Sequence, residues 1–200
     1  MNYLSHIYLS GQDEDIIIGN FLGDYVKGHL SKLEKSPYNK RVLTGIALHR
    51  QIDSYTDAHP TVRKSTERLK SKYHKFSGII VDMYYDHILA KNFHQFSDIP
   101  LTQFSQQFYE LLARRSDDIP AALDRMVVSM TTRDWLSNYA TLEGLSWALR
   151  GIASRLKFVS GIENATDDLV ADYHRFEEDF MAFFPEVQAH SVRFLEQPSF

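Results

Sequence analysis

Apolar residues recur at three- and four-residue spacing along nearly the whole chain, while sustained alternation is scarce. That period predicts helices throughout and argues against sheet. A short opening helix or turn is expected over residues 2–9, stopping near Gly11. Asp13 to Asp15 supply acidic first-turn residues for a second helix through Ile17, Phe21 and Val26, ending about Gly28. A loop containing Pro37 leads to a long helix over 38–55, and the Asp-Ala-His-Pro stretch at 57–60 punctuates its end. Pro60 disfavours helical geometry at His59 and can itself open the next helix, which gives out near Tyr73. Another helix covers 76–93.

The second half predicts amphipathic helices over 101–114, 119–136, 141–158 and 165–196, with Pro185 dividing the last. Phe176, Phe180, Phe183 and Phe184 form an aromatic stripe that reads as core packing. His174 and His190 stand alone there and read as structural or exposed. With no repeat, low-complexity tract or Pro/Gly/Ser-rich linker, residues 1–200 read as one all-α domain, a helical bundle.

Polar residues break this pattern in the first ninety positions. Helical side chains four apart share a face. On that spacing stand Asn2 with His6, Asn20 with Asp24, His49 with Asp53, and Asp82 with Asp86 beside His87. Their flanks are strongly apolar, as in Ile16 to Ile18 and Ile79 to Val81. Unpaired buried carboxylates cost several kcal/mol each, so they call for a cation, a basic partner or water. A single His–Asp pair is ordinary on an exposed helix face. Several on adjoining apolar helices favour a metal site.

Composition narrows the chemistry. No cysteine occurs, which excludes disulfides, thiolate sites and thiol nucleophiles and is compatible with a reducing cytoplasm. Imidazole and carboxylate without thiolate suit Mn²⁺, Fe²⁺, Mg²⁺ or Zn²⁺. The Glu-x-x-His signature of carboxylate-bridged diiron bundles, the His-Glu-x-x-His zinc motif, the phosphate-binding Gly-rich loop and the Gly-x-Ser-x-Gly elbow are all missing. Metal-assisted hydrolysis, of a phosphate ester, is what remains. No apolar run approaches a membrane span and no secretory signal opens the chain, so a soluble cytoplasmic protein is expected. The net charge of -4 argues against nonspecific nucleic-acid binding. Residues 63–75 nevertheless carry Arg63, Lys64, Arg68, Lys70, Lys72 and Lys75 against only Glu67, a local +5. That segment is either a solvated face or a docking patch for an acidic or phosphorylated partner.

The stretches MNYLSHIYLS, GNFLGDYVKG, GIALHRQIDSYTDAHP and FSGIIVDMYYDHILA occur in this order in acyl carrier protein phosphodiesterases, which the sequence resembles. The likeness is dense over residues 2–100 and continues more thinly through Asp134 to Leu136 and Arg155. It implies an all-helical fold distantly like the His-Asp metal-dependent phosphohydrolases. It also implies hydrolysis of the phosphodiester joining 4′-phosphopantetheine to a serine of holo acyl carrier protein, with Mn²⁺ favoured and Mg²⁺ or Fe²⁺ as alternatives. The motif positions carried over are His6, Asn20, Asp24, His49, Asp53, Asp86 and His87.

Joined, the two lines give a working site. His6, Asp24, His49, Asp53 and Asp86 are the expected metal ligands, with His87 as a further catalytic candidate. Asp24 or His87 would move the proton, and Arg50 would face the phosphate charge. Acyl carrier proteins are acidic, so Arg63, Lys64, Arg68, Lys70 and Lys72 become expected docking residues, which Lys27, Lys32 and Lys35 could extend. Two rivals share parts of the pattern: a metal phosphohydrolase of a nucleotide or other small phosphodiester, and a non-enzymatic helical adaptor.

Overall fold

The structure, a computed structural model, describes residues 1–29, 37–157 and 159–198. Those residues form helices and connecting turns, without a strand. The first half holds α1 (Tyr3–Leu9), α2 (Glu14–Leu22), α3 (Lys40–Ala58), α4 (Pro60–Tyr73) and α5 (Ser77–Lys91). The second half holds α6 (Leu101–Arg114), α7 (Asp124–Thr132), α8 (Trp135–Asn138), α9 (Leu142–Ala153), α10 (Ala165–Ala171) and α11 (Tyr173–Glu196). No helix among the described residues is long and apolar enough to cross a membrane.

The buried helix α5 organises the bundle. Residues 83–90 are all buried, so it is enclosed on every side rather than amphipathic. Helices α1, α4, α9 and α11 pack around it. The Phe176, Phe180, Phe183 and Phe184 stripe of α11 is fully buried core, with Tyr84 and Tyr85 of α5 meeting Phe176 and Phe180 edge to face. Buried apolar side chains from α1 to α11 form one main cluster.

Caps explain why the first helices start where they do. Asn2, Asp13 and Asn39 each lend a side-chain oxygen to an otherwise unpaired amide at the start of α1, α2 and α3. Pro60 is the first residue of α4, as its fixed φ favours, and His59 is extended before it. Helix α2 stops at Leu22 rather than near Gly28, the chain leaving through a turn in which Tyr25 and Val26 still donate to the Leu22 carbonyl.

Helices α2 and α3 cross with their backbones in close contact. A Cβ on Gly19 would lie 2.0 Å from the Val42 carbonyl oxygen, and one on Gly45 would lie 2.3 Å from that of Ile16. Only glycine permits this approach, which sets His49, one turn beyond Gly45, against Asn20.

Three further expected boundaries differ. Residues 119–136 do not form one helix: Asp134 takes a left-handed φ of 44° and separates α7 from α8. The helix expected over 141–158 is confined to α9, and Phe158 lies outside the described residues. Pro185 does not divide the last segment; it sits inside continuous α11, while the break falls at Asp172. Proline removes one helical hydrogen bond. Here Phe183, Phe184 and Val187, none of them exposed, hold the helix against the core.

Candidate metal centre

Two helices converge on a group that could hold a metal ion: His6 from α1 with His49 and Asp53 from α3, each offering an atom within 4.8 Å of the others. The Asp53 carboxylate reaches both rings, Oδ1 lying 3.0 Å from His6 Nε2 and Oδ2 3.2 Å from His49 Nε2. The imidazoles stack with centroids 4.0 Å apart. Asp24, just past the end of α2, adds a second carboxylate 3.4 Å from His49 Nε2. The rings are buried, whereas the carboxylate side chains of Asp53 and Asp24 are 41% and 64% exposed. The group therefore opens to solvent on its acidic side.

Asn20 fixes how the histidines present themselves. Its amide NH2 donates to the His6 carbonyl at 2.9 Å and to Ser10 Oγ at 2.8 Å, leaving Oδ1 as acceptor. His6 Nδ1–H donates to that oxygen at 2.9 Å. His49 Nδ1–H donates to the Asn20 backbone carbonyl at 2.9 Å and to Oδ1 at 3.1 Å. Neutral His6 and His49 therefore carry their protons on Nδ1 and turn their Nε2 lone pairs toward carboxylate oxygens. Lone pairs facing carboxylates repel unless positive charge lies between them. A divalent cation fits that need, and outer partners that lock a ligand tautomer are the usual accompaniment of such a site.

Titration behaviour agrees. Burial pulls the His49 value down, but hydrogen bonds and charge from Asp24 and Asp53 outweigh it and hold it up at about 9. Burial lowers the His6 value, against the upward pull of Asp53. Burial alone would raise Asp53, yet its bonds to His49 and His6 hold it well below the usual carboxylate range. In metal-free protein a proton on His49 thus stands between nitrogen and carboxylates. Replacing Asn20 with Ala should free both rings and weaken divalent-cation binding by roughly 10–100-fold, as loss of a hydrogen-bond partner that orients metal-ligating histidines does. Calorimetric titration of the two proteins reads this directly, and unchanged affinity would remove Asn20 from the design.

The remaining expected site residues lie elsewhere. Asp86 is fully buried in α5 and faces the start of α1, where it accepts from the amides of Asn2 at 3.3 Å, Leu4 at 2.8 Å and Ser5 at 3.2 Å, and from the Ser5 hydroxyl. It is a tertiary cap on the helix that carries His6. Its neighbour Asp82 pairs with the Met1 amine at 2.8 Å. His87 points another way, Nδ1–H donating to the Tyr139 carbonyl at 2.7 Å, with the Tyr173 hydroxyl 3.3 Å from Nε2. Arg50 donates to the Val26 and Gly28 carbonyls at 2.8 Å each, bracing the turn that follows Asp24.

The basic segment is largely compensated from within. Lys64 and Arg68 converge on the buried Asp179 of α11, and Lys72 pairs with Asp168 of α10 at 2.8 Å. Lys70 pairs with Glu67, Arg63 donates to the Asp57 carbonyl, and Lys75 lies over the Phe76 ring. The charge run is in good part a seam between α4 and α10–α11. Lys32 and Lys35 lie outside the described residues.

Comparison with known proteins agrees with the resemblance read from the motifs. The family model for acyl carrier protein phosphodiesterase matches residues 1–187. The chain is 30% identical over 194 residues to the acyl carrier protein phosphodiesterase of Escherichia coli (strain K12 / DH10B), covering 96% of this chain and 98% of the relative. It is 29% identical over 188 residues to that of Serratia proteamaculans (strain 568), covering 94% and 95%. No solved structure gives a significant match. A match over nearly the whole length, in a chain that gathers His6, His49 and Asp53, leaves one assignment: the chain belongs to the acyl carrier protein phosphodiesterase family.

Proposed function

We propose that this protein hydrolyses the phosphodiester between 4′-phosphopantetheine and a serine of holo acyl carrier protein, releasing apo carrier protein and 4′-phosphopantetheine. Family membership supports the substrate, and the observation that carries the chemistry is the pair of Nε2 atoms held toward Asp53. His6, His49 and Asp53 would hold the cation, Mn²⁺ first among Mn²⁺, Mg²⁺ and Fe²⁺. When bound, such a cation supplies Lewis acidity, acidifying water and withdrawing charge from a phosphoryl oxygen.

The chain's own groups do the rest. Asn20 keeps both rings in one tautomer, so neither ligand nitrogen is lost to a proton on the wrong side. Asp24, exposed beside His49, would take the proton of the attacking water on a carboxylate oxygen. As the water oxygen bonds to phosphorus, the bond from phosphorus to the serine oxygen breaks. Asp24 can then return the proton to that departing oxygen. His87, the other expected proton carrier, is already engaged at both ring nitrogens by Tyr139 and Tyr173.

The test is incubation of purified protein with holo acyl carrier protein and Mn²⁺, read by intact mass. The expected result is loss of one phosphopantetheine per carrier protein, abolished by chelator and restored by added metal. A carrier protein of unchanged mass would refute the assignment, and cleavage untouched by chelator would refute the metal's part in it.

A further inference from the structure

A groove of about 410 Å³ opens between the amino end of α1 and helices α7, α8 and α9. Two tyrosines link it to the histidine–aspartate group. Tyr3 lines the groove one helical turn before His6, and Tyr25 directly follows Asp24. Both phenols reach the Met126 sulfur, at 3.2 and 3.4 Å, and Met126 also lines the groove.

The walls are unlike an ordinary seam between helices. Along α9, Gly144, Ala148 and Gly151 fall on one face and present almost no side chain to the groove. A Cβ on Gly151 would meet nothing within 4 Å. Across from them stands Trp135, which follows the left-handed Asp134. That backbone is held by the Asp134 carboxylate, which accepts from the Tyr109 hydroxyl and the Ser137 amide. Strain of this kind persists where the surroundings demand it, often beside functional surfaces. Trp147 lines the groove while 54% exposed.

Charge adds a second, independent observation. Arg125, Arg133 and Arg155 line the groove, and none of them forms an ion pair among the described residues. The cations of the 63–75 segment, by contrast, are mostly matched by acidic partners. A slot with indole and thioether walls, amide side chains from Asn2 and Asn138, and guanidinium groups without a carboxylate partner among the described residues, Arg155 donating only to the Gly151 carbonyl, suits a particular ligand. It is a slender chain of amides with apolar branching and an anionic end.

We propose that this groove is the subsite for the pantetheine arm of the substrate, its phosphorylated end lying at Tyr3 and Tyr25 beside the metal centre. The choice of ligand rests on the function proposed above. The arginines, none of them in an ion pair among the described residues, supply a positive field that draws the phosphate-bearing end, and Ala148 and Gly151 supply the space.

Calorimetric titration of the full-length protein with pantetheine and with 4′-phosphopantetheine tests the assignment without any cleavage. Wild-type protein should bind both, the phosphorylated compound more tightly. Gly151→Leu fills the groove from a position with room for a side chain, and Trp147→Ala removes a wall without disturbing the core. Each should weaken pantetheine binding at least about tenfold, the first by obstructing the groove and the second by loss of an aromatic anchor. Both should keep wild-type Mn²⁺ uptake and melting temperature. Absence of pantetheine binding by wild-type protein, or undiminished binding by both variants, overturns the subsite. Failure of the hydrolytic assignment shows separately, as holo carrier protein left intact by wild-type enzyme.

Discussion

Asp53→Asn should abolish stoichiometric metal uptake and lower turnover of holo acyl carrier protein by well over the ~10–100-fold that outer-shell partners are worth. Among the described residues Asp53 is the one carboxylate paired with both imidazoles, and its two oxygens divide between them. The amide keeps the shape but removes the charge and places N–H donors opposite Nε2 lone pairs. A hydrogen bond then satisfies a nitrogen that otherwise needs a cation. Because the Asp53 side chain is partly exposed, the fold should survive. Metal analysis after stripping and reloading, beside circular dichroism and the mass assay, checks each part. A variant that still binds one equivalent and still turns over would place the centre elsewhere.

The second large effect concerns stability. Asp86→Ala removes the acceptor from three backbone amides and one hydroxyl at the buried start of α1. Each stranded donor costs ~1–3 kcal/mol, offset by relief of a buried charge, so a net loss of about 2–4 kcal/mol is expected in urea denaturation at pH 7. The effect also has a sign in pH. Burial, against the pull of the hydrogen bonds and the Met1 amine, pushes the Asp86 carboxyl up to about 6 from its ordinary value of 3.8. A carboxyl held above its unfolded value contributes fully below about pH 4, and its contribution falls as pH rises through about 6. The deficit of Asp86→Ala relative to wild type should therefore be largest near pH 4 and shrink toward pH 7. A deficit that widens over that range would contradict the assignment. His6 should also lose its position in the variant, since the helix that carries it loses its cap.

Much of the centre is legible in the sequence because it rests on local periodicity. His49 and Asp53 are one turn apart on one helix, so their convergence needs no tertiary knowledge. His6, Asn20 and Asp24 stand out as polar residues in apolar surroundings. The same signal singles out Asp86 and His87, yet the structure gives them other partners. A buried carboxylate can serve a cation or the unpaired amides of a neighbouring helix, and only the arrangement of α1 against α5 decides between these. The basic segment shows a similar limit. Its charge is plain in the sequence, but Asp168 and Asp179, which compensate it, lie about a hundred residues away.

Asn20 stands out in the sequence as a candidate, but its part in locking two ring tautomers depends on α1, α2 and α3 meeting. The groove has a faint signature in Gly144, Ala148 and Gly151, small residues on one helical face, which reads equally well as close packing. Nothing local announces the left-handed turn at Asp134, since non-glycine residues seldom adopt it. Pro185 misleads in the other direction: core contacts on both sides outweigh a local preference for a break.

Where α2 and α3 touch at Gly19 and Gly45, peptide units alone set their separation, with no rotamer between them to adjust. The spacing of His49 from Asn20 is thereby inherited from bare backbone rather than from side-chain packing. The donor atoms are preorganised as the chain folds, so the entropy of assembling them is lost then and not when an ion arrives. A centre built this way should hold its shape in the empty state.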